Sequence, residues 1–243
     1  MRRALVIGGA NGIGLSIATQ IACDERFDRV YIVDRAEVAQ EYFNEKFVYE
    51  KFDLSETDFS VFDKFGDVDT LMITAGFGRL SHFANIDEKH IIDSFTVNTT
   101  AVIRIIRHFY ARLQSHSDFY CGVMGSIAGF MSSPLFAVYG ATKAALKIFI
   151  ESVNVELEMA GTSNRILNVS PGSIKGTAFN NGKNDLNATK SLTEDIISHL
   201  WAKDDLFIPQ YEEVYKEVLA RYQSDFRKEG RHSYEYKMQR IKE

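Results

Sequence analysis

Two rhythms of apolar residues alternate along the chain. Short apolar blocks at residues 4–7, 30–33, 47–52, 70–73, 119–124, 165–169 and 206–208 read as buried strands, most of them closed by Gly, Asp or Pro. Between them lie stretches in which apolar residues return every three or four positions. Residues 13–23, 87–113 and 139–159 read as helices. The second reads as one long helix, with a stripe through Ile91, Phe95, Val102, Ile105 and Ile106. This alternation predicts an α/β fold: a doubly wound three-layer sandwich around a parallel sheet of about seven strands. Crossovers in such a sheet are right-handed, and ligands bind beyond the carboxyl ends of its strands. Gly8, Asp34, Asp53, Gly76, Ser126 and Pro171 fall at those ends, so they gather at one edge.

The bulk numbers narrow the setting. With 243 residues, 45% of them hydrophobic, and no Pro- or Ser-rich linker, the chain reads as a single domain over 1–243. A net charge of −5 with scattered Lys and Arg gives no electrostatic case for nucleic acid. No run approaches the ~18 apolar residues of a membrane span. Met1-Arg2-Arg3 leads into a block too short for a signal-peptide core. A cytoplasmic protein without membrane association is expected. Cys23 and Cys121 form no CxxC and read as plain buried thiols, in keeping with a reducing compartment. The six histidines show no ligand spacing, His82 and His90 read as surface residues, and no metal site is expected.

Two sets of residues carry candidate chemistry. The first is Gly8-Gly9-Ala10-Asn11-Gly12-Ile13-Gly14, between the first strand and the first helix. Glycines there let the backbone approach a pyrophosphate, and the helix N-terminus offers N–H groups and positive dipole to it. Asp34, twenty residues beyond Gly14, ends the second strand. A carboxylate there accepts from both ribose hydroxyls and repels a 2′-phosphate, which favours NAD over NADP. Arg35 beside it is suited to receive that phosphate. Asp53 either contacts adenine or caps a turn. The Rossmann-like expectation follows from this set. The second set is Ser126, Tyr139 and Lys143. Tyr139 and Lys143 stand four residues apart and share a helix face. An ammonium beside a phenol favours the phenolate, which predicts a lowered tyrosine pKa. The serine hydroxyl is suited to hold a carbonyl oxygen.

Over residues 4–178 these motifs resemble the short-chain dehydrogenase/reductase family, of its shorter single-domain type. Gly8, Gly12 and Gly14 match the family's glycine turn, with Asn11 and Ile13 inside it. Asp53-Leu54 matches its adenine contact, and Ala75-Gly76 the end of its N-N-A-G. Asn98, Ser126, Tyr139 and Lys143 match its catalytic tetrad. Pro171-Gly172 matches the segment over the nicotinamide; Ile174 follows it, and Thr177 stands one place later than the family's commonest Thr. The resemblance implies reversible hydride transfer between a nicotinamide and an alcohol or ketone. Tyr139 would be the acid/base, Lys143 would also hold the nicotinamide ribose, and Asn98 would hold a water that links Lys143 to solvent. It also implies a homodimer or homotetramer. Three departures stand out. Ile7 replaces a Thr, Ile73-Thr74 replaces Asn-Asn, and Gly125 replaces the first Ser of a common pair. The first two remove polar braces at strand ends.

Residues 178–190 are rich in Asn and Gly and read as a loop, either a substrate lid over about 178–200 or plain surface. Ser191-Leu192-Thr193-Glu194 resembles a capping box that opens a helix. Phe77, Phe130, Met131, Leu135 and Phe136 either line an apolar pocket or pack in the core. The segment 211–243 is atypical. Tyr211, Tyr215, Leu219 and Tyr222 recur at helical spacing, for docking on the domain, on a second subunit, or on neither. Two other readings stay open: an NAD-binding sensor or scaffold of the same fold, and a dehydratase or epimerase acting on a sugar nucleotide.

Overall fold

Seven strands run parallel in one sheet: β1 (Arg2–Ile7), β2 (Phe27–Asp34), β3 (Phe47–Lys51), β4 (Thr70–Ile73), β5 (Tyr120–Met124), β6 (Ile166–Val169) and β7 (Leu206–Phe207). Their spatial order is β3-β2-β1-β4-β5-β6-β7. β1 therefore has β2 on one side and β4 on the other, and the chain reverses its direction of travel across the sheet there. A crevice opens at that reversal, beyond the strands' carboxyl ends. The computed structural model describes residues 1–177, 179 and 184–241.

Each face of the sheet is covered by helices, because strands buried on both faces expose apolar side chains both ways. On one face Leu5, Ile7, Leu71, Ile73 and Val123 meet Ile105, Ile106, Leu146 and Ile150. These come from α3 (Ala101–His108) and α5 (Ala137–Met159). On the other face Val6, Ile32, Met72 and Val169 meet Ile17, Ile21, Ile196 and Leu200. These come from α1 (Gly12–Cys23) and α6 (Leu186–Ala202). Neither core cluster draws on a residue past Phe207.

The long helix expected over 87–113 is interrupted. Asp87 caps α2 (Glu88–Phe95) by accepting from His90 N at 2.7 Å. A π-helical turn, Thr96–Thr100, follows before α3, and the helix breaks again at Phe109 before α4 (Tyr110–Gln114). The π turn carries buried Asn98 and Thr99, and Thr99 Oγ1 donates to Thr142 O of α5 at 3.1 Å. Such wide turns mark places where side-chain bonding overrides the regular ladder.

Three other expectations need correction. Ser191 does not open a helix. Asp185 caps α6 by accepting from Asn187 N and Ala188 N, so the helix starts at Leu186 and Ser191 lies inside it. Cys23 is exposed, since it ends α1 at its solvent side, whereas Cys121 is buried in β5 and burial pushes its thiol up to about 12. The segment from 211 forms a π-helical turn (Tyr211–Tyr215) and two helices, α7 (Lys216–Ser224) and α8 (Phe226–Ile241), which pack on each other. Of the stretch 178–190, residues 178 and 180–183 lie outside the described residues. Among those described, no helix is long and apolar enough to cross a membrane.

Candidate active site

The turn after β1 is built on close approach. Gly8 (φ +82°) and Gly12 (φ +55°) take left-handed conformations. A Cβ at Gly8 would overlap the backbone of Ala75, and one at Gly14 would overlap Gly8 O and Thr74 Oγ1. Thr74 Oγ1 donates to Ile7 O and Gly8 O, both at 3.0 Å. It restores from β4 the brace that Ile7 does not supply, a role not visible when Ile73-Thr74 is read only as the loss of two asparagines. The Asn11 side chain does not cap α1, and the helix's first turn holds no acid. Instead Gly12 N donates to Asn184 Oδ1 at 2.9 Å, and Asn184 Nδ2 donates to Asn11 Oδ1 at 2.8 Å. A neutral carbonyl oxygen thus stands where the helix end would receive an anion's oxygen.

Asp34 ends β2 with its carboxylate fixed. Oδ2 accepts from Ala10 N and Oδ1 from Ala36 N, each at 3.0 Å. Arg35 beside it is exposed. Asp53 caps its own turn, since Oδ1 accepts from Ser55 N at 2.9 Å and Ser55 Oγ at 2.8 Å. Those bonds hold its carboxyl below the usual range.

Ser126 follows β5 and heads a short turn, where its hydroxyl accepts from Ala128 N at 3.2 Å. Gly125 before it is dictated by crowding, because a Cβ would overlap Asn168 Oδ1 and Ser170 Oγ. Tyr139 and Lys143 lie on one face of α5, with Lys143 Nζ 5.7 Å from the Tyr139 ring centroid. The lysine is buried and donates to Met124 O at 2.7 Å. Burial pulls its pKa down to about 8. The expected lowering of the tyrosine pKa does not appear in the cofactor-free chain. Burial raises Tyr139 to about 12, and the Ser126 hydroxyl opposes the rise through a hydrogen bond. Desolvation of the phenolate outweighs the Ser126 bond, and burial discourages the charge of Lys143 as well. Tyr139 is therefore a neutral phenol at neutral pH.

Asn98 spends its amide on the adjacent strand end. Oδ1 accepts from Phe77 N at 3.0 Å, while Nδ2 donates to Phe77 O at 2.8 Å and Thr142 Oγ1 at 3.2 Å. Pro171 O accepts from Ile127 N at 3.0 Å, which ties the loop after β6 to the Ser126 turn. Thr177 lies against Gly12 of the glycine turn.

Of the residues matched to the family's catalytic and cofactor-binding positions, together with Asp34 and Arg35, only Lys143 and Asn98 are absent from the lining of one cavity of about 920 Å³; the rest line it together. Phe77, Met131 and Phe136 line it too, while Phe130 and Leu135 do not. Phe136 and Phe179 sit 5.6 and 5.3 Å from the Tyr139 ring. Sequence reasoning missed the far wall, which comes from the tail: Tyr215, Val218, Glu229, His232 and Lys237. The Tyr215 hydroxyl rests directly on Gly172, where any side chain would collide with it. Tyr215 was in the helical pattern of the tail, but nothing local indicated where that helix docks. Among the described residues no three His, Cys, Asp or Glu side chains form a metal-binding group.

The parallel seven-stranded sheet thus carries a glycine turn at its reversal point and Ser126, Tyr139 and Lys143 across the crevice. The chain belongs to the short-chain dehydrogenase family, whose model matches residues 2–188. It is 27% identical over 195 residues to an uncharacterized short-chain type dehydrogenase/reductase of Sinorhizobium fredii, a match spanning 79% of this chain and 77% of the relative. Among solved structures, its fold is similar to that of a bulky-bulky ketone specific alcohol dehydrogenase from Comamonas testosteroni. The TM-score is 0.73 at 21% identity, over 92% of this chain and 93% of that one. A short-chain dehydrogenase from Sphingobium yanoikuyae in complex with NADPH superposes with a TM-score of 0.72 at 20% identity, over 93% and 96%.

Proposed function

We propose that the chain reversibly interconverts an alcohol and a carbonyl compound with a nicotinamide dinucleotide, Tyr139 acting as acid and base. What supports this most is the shared cavity: Ser126 and Tyr139 line the same space as the glycine turn, with Lys143 beneath them. The open end of α1 and the turn glycines fit a pyrophosphate, so Gly12 and Ile13 would hold it once Asn184 yields its bond to Gly12 N. When bound, the nicotinamide donates or accepts the hydride. Ser126 orients the substrate oxygen, and neutral Tyr139 donates its proton to that oxygen during carbonyl reduction. Lys143 would hold the nicotinamide ribose, with Pro171, Gly172 and Ile174 over the ring. A water near Asn98 would link the lysine to solvent. Oxidation of added reduced nicotinamide by a panel of aldehydes and ketones, followed by absorbance, tests the reading. Tight dinucleotide binding without turnover on any of them would overturn it.

At the ribose end we infer a preference for NAD, on the charge of Asp34. The Asp34 anion is fixed by two backbone N–H groups at the place where a 2′-phosphate would arrive. The NADPH of the Sphingobium neighbour sets the competing outcome, with Arg35 as the phosphate's partner. Asp34→Asn keeps one acceptor oxygen while removing the charge. Its NADH-over-NADPH affinity ratio is expected to fall about ten-fold in fluorescence titrations. An unchanged ratio would remove Asp34 from cofactor selection.

The oligomer is read from exposed apolar residues on two helices that touch. Ile148, Val155 and Met159 recur along the outer side of α5, and Ile92 and Phe95 on α2. A second copy would cover both. Light scattering should give a dimer or tetramer for the native chain and a monomer for the Ile148→Glu, Val155→Glu double variant. A monomeric native chain would refute this.

A further inference from the structure

The tail brings a cation into the substrate end of the cavity, and we propose that this ammonium, Lys237, is a second anchor that binds a carboxylate borne by the substrate away from its reacting carbon. The proposal rests on the oxidoreductase reading above. Lys237 lies on α8 and lines the cavity that holds Tyr139. Its Nζ stands 5.5 Å from the Phe136 ring centroid, and that ring is 5.6 Å from the ring of Tyr139. One aromatic ring therefore separates the ammonium from the proposed proton donor.

The lysine is held but not neutralised. Nζ donates to Ser133 Oγ at 2.7 Å and to Pro134 O at 3.0 Å, both uncharged acceptors. An ammonium has three donors, so among the described residues one is left for a ligand. Burial pulls its pKa down to about 8, with no carboxylate acting against that. The carboxylate on this wall, Glu229, is already engaged. It accepts from Arg221 Nε at 2.8 Å and faces His232 Nδ1 at 3.7 Å. The other charges lining the cavity, Asp34, Arg35 and Asp53, belong to the adenosine end. The substrate end thus carries an excess of positive charge beside an apolar wall of Phe77, Met131 and Phe136. A half-buried ammonium without a counter-ion is costly, and an arriving carboxylate relieves that cost. The matching ligand is an aromatic or otherwise apolar ketone, or the corresponding alcohol, with a carboxylate a short chain away.

Benzoylacetate, benzoylpropionate, benzoylbutyrate and benzoylvalerate, each beside its methyl ester, vary that chain. With the full-length protein and reduced nicotinamide, at least one acid is expected to exceed its ester about ten-fold in kcat/KM. In Lys237→Met that ratio should fall to near one through KM, and Lys237→Arg should keep the acid preference. No acid preference at any chain length would overturn the proposal. So would a Lys237→Met variant that loses acid and ester activity in parallel, since that marks a mere tether of α8 to the Ser133–Pro134 loop. If the native protein reduces none of the eight compounds, the redox reading fails for this class. Calorimetry of the four acids with the cofactor-loaded protein then decides the anchor separately. Binding that Lys237→Met abolishes upholds it, and no binding refutes it.

Discussion

Tyr139→Phe is expected to lower turnover about 10³-fold while the dissociation constant of the dinucleotide stays within about three-fold. The large effect follows from what the substitution removes. Tyr139 is a neutral phenol in the resting chain, because burial raises its pKa to about 12. On the proposed reading it is a loaded donor for carbonyl reduction, and its hydrogen bond to the Ser126 hydroxyl marks where the substrate oxygen would enter. The small effect on affinity follows from what remains. The ring contacts to Phe136 at 5.6 Å and Phe179 at 5.3 Å need no hydroxyl. The glycine turn and Asp34 are on other elements. Steady-state kinetics and a fluorescence titration on the same preparation check both halves. Activity within a few-fold of the native chain would exclude Tyr139 as the acid.

The second large effect is expected at Gly14→Ala, which changes a single methyl group. That methyl would meet Gly8 O, a backbone atom that cannot rotate away, and Thr74 Oγ1, which braces the same turn. Overpacking against fixed atoms reaches about 3 kcal/mol. In a chain of this size that is roughly 6–12 °C in Tm. The variant's dinucleotide binding should fall more than its stability suggests, because widening the turn misdirects the N–H groups at the start of α1. Thermal denaturation with and without the dinucleotide separates the two. A Tm within 2 °C of the native value, with cofactor stabilisation intact, would show that the turn yields freely.

The fold was legible because its signals are local. Buried parallel strands are continuous apolar blocks, and the residues that end them, such as Gly8, Asp34 and Gly76, are the ones that line the crevice. What stayed hidden depends on distant partners. The stripe through 87–113 is unbroken in the sequence, yet Asn98 and Thr99 bond to Phe77 and to Thr142 of α5 and open a π turn. Ser191 has the residues of a capping box, but Asp185 caps first and the helix runs through it. The direction of the Tyr139 shift was misread for the same reason. Spacing places Lys143 beside the phenol, but how deeply both are buried is set by the whole fold. The role of the tail is the extreme case, since Tyr215 meets Gly172 and Lys237 reaches Ser133 across 104 positions of sequence.

The two core clusters stop at Phe207, while the far wall of the cavity begins at Val214 and Tyr215. The segment that shapes the substrate end thus contributes almost nothing to the interior that holds the sheet together. The far wall of the cavity and the interior of the sheet are thus drawn from different segments of the chain. Exchanging the terminal helices would therefore redraw the far wall of the cavity while leaving the residues of both core clusters in place.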